Sequence, residues 1–220
     1  MNMLFFIFYL IIIYIICSFY EYVLHRYIMH GDPETLQNVP LIGFKLAHTA
    51  RMHLDHHKSV NIDMTLKDNK KSIKGVIFGW RLTFLLILIM GVTSKLLNLP
   101  SPIMIAVVTV LLHNLLWNNW HTRFHNYNYP ANTTDGLPKL PNFPTPGQGI
   151  YSYLFKYHAI HHSQKGNKYN YNIIFPLFDH LFGTVSNDFC INNTKYCQQT
   201  DDDRCEQKQQ HCFTEKDVHY

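Results

Sequence analysis

The apolar positions fall in a few separate blocks. Met1 to Tyr20 carries no charged residue, and Leu4 to Cys17 is almost wholly Leu, Ile, Phe and Tyr. About twenty apolar residues cross a bilayer as a helix, so residues 1–20 predict a transmembrane anchor. A cleaved signal peptide carries basic residues before its apolar core and small residues at the cleavage site. Neither is present, so the anchor is expected to be retained. Val76–Leu97 and Ile103–Trp117 form two further apolar stretches, parted by Pro100-Ser101-Pro102. They predict a membrane hairpin over about 76–117, each arm marginal in length for a full crossing.

The intervening stretches are polar but not featureless. Glu21 to His57 reads as helical, interrupted at Gly31-Asp32-Pro33, where glycine in a C-cap position precedes a proline. Asn126 to Gly149 is rich in Asn, Pro and Gly and predicts a loop. Tyr151–His162 reads as helix again and Phe175–Thr184 as a short apolar closing segment. Residues 186–220 are polar, with Asp201-Asp202-Asp203 and several Gln, and predict a flexible tail. The expected architecture is all-α: an integral membrane helical protein with an anchor (1–20), one folded domain (21–185) and a tail.

Composition agrees with a membrane setting. Charged residues make up 15% of the chain, against about 25% in soluble domains. The net charge of +4 is mild and no basic run suits a nucleic acid, so that class of partner is excluded. Lys and Arg mark the cytoplasmic side of membrane segments. Eight lie between Glu21 and Lys74 and nine follow Trp120, while the amino-terminal end has none and the hairpin turn has Lys95. The polar stretches should therefore share the cytosolic face.

Histidine is the outlying residue: the chain has fifteen. Ten fall in four clusters, namely His25 and His30; His53, His56 and His57; His121 and His125; and His158, His161 and His162. Residues three and four apart share a helix face, so each of the last three clusters presents its rings together. His25 and His30 are five apart, about 140° around an ideal helix, and fit less well. The expected remedy is a fraying last turn before Gly31 that swings His30 inward. Two metals with five imidazoles each would use all ten ligands and leave each metal one open position. Imidazole suits iron, zinc, copper and nickel alike; chemistry on O2 favours iron, but ligand type leaves zinc open.

These clusters resemble the membrane-bound fatty acid hydroxylase and sterol desaturase superfamily, over about Tyr20 to Thr184. Glu21-Tyr22-Val23-Leu24-His25-Arg26-Tyr27 looks like that family's first box. The run His161-His162, Lys165-Gly166-Asn167, Pro176, Asp179 and Leu181-Phe182-Gly183-Thr184 looks like its closing signature. The order H-x4-H, H-x2-HH, H-x3-H, H-x2-HH is similar to fatty acid 2-hydroxylases, whereas sterol desaturases usually open with H-x3-H. The resemblance implies a di-iron oxidoreductase that hydroxylates a lipid acyl chain, of a fatty acid or ceramide, with O2. It also implies an endoplasmic reticulum or equivalent membrane. No His-Pro-Gly-Gly haem signature is present, so electrons are expected from a separate donor such as cytochrome b5 and its reductase. The 32 residues between His125 and His158 are more than acyl hydroxylases show, which leaves the substrate open.

A hydrogen-bond partner on its far nitrogen usually fixes the tautomer of a ligating histidine, and Asp55 and Asp179 are candidates for that role. For Asp179 the competing role is a helix cap. Arg26 and Arg123 could meet a carboxylate or headgroup, although a structural ion pair or a lipid phosphate explains them better. His48, His113, His180, His211 and His219 lie outside the clusters. His113 reads as a satisfied core histidine, and His48 as a possible outer group. The tail cysteines are spaced C-x6-C-x7-C-x6-C, too widely for a zinc site, and a cytosolic tail disfavours disulfides. Competing readings are a sterol or carotenoid oxidase or desaturase, a metal transporter, and a non-catalytic zinc-binding membrane protein. The transporter fits poorly, because transporters bind near the bilayer midplane and these histidines flank the apolar blocks.

Overall fold

The first apolar block folds as helix α1, Met3–Val23, in the computed structural model, which describes residues 3–60, 64, 66, 77–125, 148–163, 168–186, 189–191 and 211–213. Met3, Leu4, Phe5, Ile7, Phe8 and Ile11 project outward, while Ile13, Cys17, Ser18, Glu21 and Tyr22 are buried. Helix α1 runs on without a break into a π-helical turn, Leu24–Met29. Among the described residues, the combined rod Met3–Met29 is one of two helices long and apolar enough to cross a membrane. The other is α5, Pro102–Phe124.

Between them lies α4, Trp80–Leu96. Its 17 residues extend about 26 Å at 1.5 Å per residue, short of the roughly 30 Å hydrocarbon core. Helices α4 and α5 form the expected hairpin. Its turn is set by left-handed residues Asn98 (φ 53°) and Ser101 (φ 52°), with Pro102 opening α5. At the other end Asn118 of α5 accepts from the Phe78 amide (2.6 Å) and donates to the Phe78 carbonyl (3.3 Å). The chain therefore enters α4 and leaves α5 on the same side, whatever depth the turn reaches. Asn114 extends this ladder, accepting from Asn118 at 2.5 Å and donating to Thr83. Amides in apolar surroundings need such internal partners.

The stretch expected as one interrupted helix is three elements. After the π-helical turn the chain reverses into α2, Pro33–Gln37, and then α3, Gly43–Ser59. Asp32 begins α2, accepting from the Thr35 amide at 2.9 Å, with Pro33 in the first turn. Gly31-Asp32-Pro33 thus both ends one helix and starts the next. A Cβ on Gly31 would run into the Tyr27 carbonyl and lie 2.9 Å from Leu36 Cδ1; on Gly43 it would strike the Gln37 carbonyl. These close approaches fold α3 back beside the π-helical turn.

Helices α6, Gln148–Ser163, and α7, Leu177–Leu181, complete the helical body. Helix α6 packs on α5, and α7 on α1. The buried apolar core gathers Ile13, Met90, Ile105, Val110, Trp117, Phe124, Phe155 and Ile173 among others. The fold is all-α as expected, with one short antiparallel pair among the described residues of the tail: β1, Phe189–Ile191, beside β2, His211–Phe213. The lysine-rich stretch after Lys67, the loop 126–147, Cys197, Cys205 and residues 165–167 of the closing signature lie outside the described residues.

Gly31→Ala is expected to destabilise the protein by about 1–3 kcal/mol, the usual cost of overpacking. Gly91→Ala is the control: its added Cβ meets nothing nearer than Ala106 Cβ at 4.0 Å, and helix propensity favours alanine. Thermal unfolding in detergent should lower the midpoint for the first variant and leave or raise it for the second.

Candidate metal centre

Each histidine cluster sits where a helix runs into the protein interior, and the ten rings gather into two adjoining groups. The first comprises His25, His30, His53, His57 and His161, with one ring nitrogen from each within 4.8 Å of the others. The second comprises His56, His121, His125 and His162 on the same criterion. His158 joins it, its Nε2 lying 3.1 Å from Nε2 of both His125 and His162. The ten rings thus gather as five and five, although the rings of the second and fourth clusters, expected to project together, are each split between the groups. His57 and His162 stack between the groups with ring centroids 4.0 Å apart.

Helical periodicity explains the sorting. On α3, His53 and His57 are four apart and face the first group, while His56 turns to the second. On α6 the roles reverse: His158 and His162 face the second group, and His161 the first. The first cluster goes wholly to one group and the third wholly to the other. His25 and His30 share a face because the backbone between them is π-helical, with the His30 amide donating to the His25 carbonyl at 3.1 Å. Residues joined directly by an i→i+5 bond stack one above the other, as i and i+4 do in an α-helix. Their ring centroids are 5.0 Å apart. A π-helical turn, not the expected frayed end, solves the spacing.

Nitrogen chemistry shows what these groups can hold. In the first group, Nε2 of His53 lies 3.0 Å from those of His25 and His57 and 3.1 Å from that of His30. Nε2 of His30 is 3.1 Å from that of His161. His25 Nδ1 faces the Tyr171 carbonyl, and His161 Nδ1 faces that of Tyr169 at 2.6 Å. A carbonyl can only accept, so both Nδ1 atoms carry the proton and both Nε2 atoms present lone pairs. Lone pairs converging in a dry interior call for a cation. Two nitrogens about 2.0–2.1 Å from a shared metal, at right angles, lie about 2.9–3.0 Å apart, which the observed spacings match. In the second group Nδ1 of His125 faces the Met64 carbonyl at 3.3 Å.

Burial keeps the rings neutral. Nine of the ten histidines are buried and His30 is half-buried. Burial, then repulsion from neighbouring rings, holds His53, His57, His158 and His162 well below the usual histidine range. The same causes bring His30 down to about 2, and burial takes His161 down to about 4. Neutral imidazole is the metal-binding form.

The outer residues fall differently from expectation. Asp55 is exposed and faces Lys58 at 3.4 Å, because it stands on the solvent side of α3. Asp179 is fully buried but reaches no imidazole directly: it accepts from the Tyr171 amide (2.9 Å), the Asn172 amide (2.6 Å) and Thr184 Oγ1 (2.7 Å). His48 and His180 are exposed. His113 is buried beside Glu21, with Nε2 3.4 Å from Oε2. Arg26 lies over the rings of Tyr22, Tyr27 and Tyr171 and donates to the Tyr22 hydroxyl; Arg123 is exposed. The residues missed from sequence are Tyr169 and Tyr171, which contribute backbone carbonyls, and Glu21 as a structural carboxylate. Their one written signal is the alternation Tyr169-Asn170-Tyr171-Asn172, in which both asparagines are buried.

The family model described as Fatty acid hydroxylase matches residues 10–184, well over half of the chain. No curated protein and no solved structure matches it.

The neutral histidines also set an acid limit. An unfolded chain takes up protons near pH 6.5, whereas these folded rings resist protonation until much lower. Their contribution to stability is therefore complete above about pH 6.5 and is lost as the pH falls toward 4, where His161 itself titrates. Melting of the metal-free protein in detergent should move steadily downward between pH 7.5 and 5; a flat profile would contradict the buried neutral state.

Proposed function

Since the chain belongs to the fatty acid hydroxylase family, which makes it an oxidoreductase of lipid hydroxylation or a related oxidation, we propose that it hydroxylates a lipid acyl chain, of a fatty acid or ceramide, with O2. The observation that carries this reading is the pair of five-histidine groups at the ends of two membrane-length helices. His25, His30, His53, His57 and His161 would hold one iron, and His56, His121, His125, His158 and His162 the other. When bound, the metals supply the redox chemistry on O2. The overall balance is that one oxygen atom enters a C–H bond as hydroxyl and the other leaves as water, with two electrons and two protons consumed.

The chain's own residues account for the setting. The rod Met3–Met29 and helix α5 are apolar through most of their length and then deliver His25, His121 and His125 at their ends. Trp117 lies against one ring of each group, with centroids 6.1 Å from His25 and 5.1 Å from His121, and its other side meets Phe78 at 5.2 Å. Trp117 and Phe78 belong to the apolar hairpin itself, so an acyl chain would approach along it from lipid while water is kept from the reacting carbon. The distribution of Lys and Arg supports a cytosolic position for the histidine groups, within reach of a separate electron donor such as cytochrome b5 and its reductase. An endoplasmic reticulum membrane or its equivalent fits such a donor.

Purified protein should hold two metals per chain by elemental mass spectrometry. His56→Ala with His161→Ala removes one ligand from each group and should reduce both. Cells expressing the wild-type chain should accumulate hydroxylated acyl lipid whose new oxygen derives from 18O2, and the double variant should not. An intact, folded wild-type chain without metal would sink the reading; an oxidised sterol or carotenoid as the product would move the substrate to another branch of the same chemistry.

A further inference from the structure

We propose that Asp179 is a positioning residue for one metal centre alone, acting on His25 through the peptide group that joins Tyr171 to Asn172. This rests on the two-centre reading above. The two ends of that peptide have different partners. Its N–H, from Asn172, donates to Asp179 Oδ2 at 2.6 Å. Its C=O, from Tyr171, accepts from His25 Nδ1. A buried carboxylate, a peptide and an imidazole therefore stand in series. Ligating histidines commonly donate to a carboxylate directly; here one peptide is interposed.

Such a series has a physical consequence. Hydrogen bonds in a chain polarise one another, most strongly where the local dielectric is low. Negative charge at Asp179 draws the peptide N–H, enriches its carbonyl oxygen, and makes that oxygen a better acceptor for His25. The ring is held in the Nδ1–H form, and its Nε2 lone pair becomes the more basic ligand. Asp179 is set up for this task. It is fully buried, it comes from α7, which carries none of the ten clustered histidines, and the Tyr171 amide and the Thr184 hydroxyl also donate to it.

The surrounding strap, residues 169–174 between α6 and α7, fixes the peptide in place. The Ile173 and Ile174 amides both donate to Glu21 Oε1, and Asn172 Nδ2 donates to the Ser18 carbonyl at 3.0 Å. Asn170, in a left-handed conformation (φ 58°), donates from its side chain to the Tyr157 and Ser186 carbonyls. The strap's carbonyl contacts to His25 and His161 and the ring contact of Tyr171 with His30 all belong to the first group. In the second group the carbonyl that meets His125 comes from Met64, away from the strap. The two centres are thus inequivalent in their outer support, and neutralising Asp179 should weaken one of them.

The test is chelator titration of the purified, iron-loaded full-length chain, with retained metal counted by elemental mass spectrometry and the two sites distinguished by 57Fe Mössbauer spectra. Asp179→Asn is nearly isosteric but uncharged. It should release one iron at about 10–100-fold lower chelator, the usual cost of losing an outer partner. The second iron should follow the wild-type curve and one spectral component should persist. Adding His121→Ala should then abolish that component. Glu21→Gln keeps a neutral acceptor for Ile173 and Ile174 and leaves the 171–172 peptide alone, so both irons should stay on the wild-type curve. The proposal is overturned if Asp179→Asn releases both irons as the wild type does, if it loses both together, or if Glu21→Gln reproduces its effect. A wild-type chain that binds no metal would instead remove the two-centre reading itself.

Discussion

Everything in this molecule answers to one electrostatic constraint: neutral imidazole lone pairs aimed at two shared points in a dry interior. His25 and His161 each present an Nε2 lone pair to a neighbouring ring nitrogen 3.0–3.1 Å away, an arrangement that a shared cation would satisfy. The protein holds them there by spreading the ten histidines over four elements, each anchored elsewhere. Helix α3 and helix α6 lie beside both points and divide their rings by periodicity, three or four residues deciding which point a ring meets. The rod ending at Met29 and helix α5 each serve a single point. No element can shift without disturbing the others, because α3 and α6 are common to both groups.

The same constraint explains why the site sits where it does. A group of buried neutral histidines needs low dielectric and yet must lie where polar backbone can orient the rings. The ends of apolar helices meet both needs. Glu21 and His113 mark the deepest polar pair, a turn or more below the ligands, and Glu21 turns its other oxygen to the strap. Above them Trp117 closes the floor beneath His25 and His121.

Much of this was legible in the sequence. The apolar blocks, the hairpin and the four histidine clusters all follow from spacing. So does the break at Gly31, although its second purpose, starting α2, depends on Asp32 serving as a cap. Three things were hidden. Asp55 lies inside a histidine cluster but on the wrong face of α3 to help it. Asp179 works through backbone, and no residue type announces which carbonyl will meet a ring. The shortness of α4 depends on where Gly79 and Leu97 end a helix, which the apolar stretch from Val76 to Leu97 does not reveal.

The π-helical turn at Leu24–Met29 also bears on how many residues the first box can hold. One residue inserted into an α-helix produces such a widened turn, leaving the side chains on either flank in their former directions. Excising one residue between His25 and His30 would leave H-x3-H on a plain α-helix, with both rings still on a common face. The five-residue spacing of His25 and His30 and the four-residue spacing a plain α-helix needs are therefore alternative threadings of one geometry, separated by a single codon. A one-residue deletion inside this box would displace neither histidine from the common face.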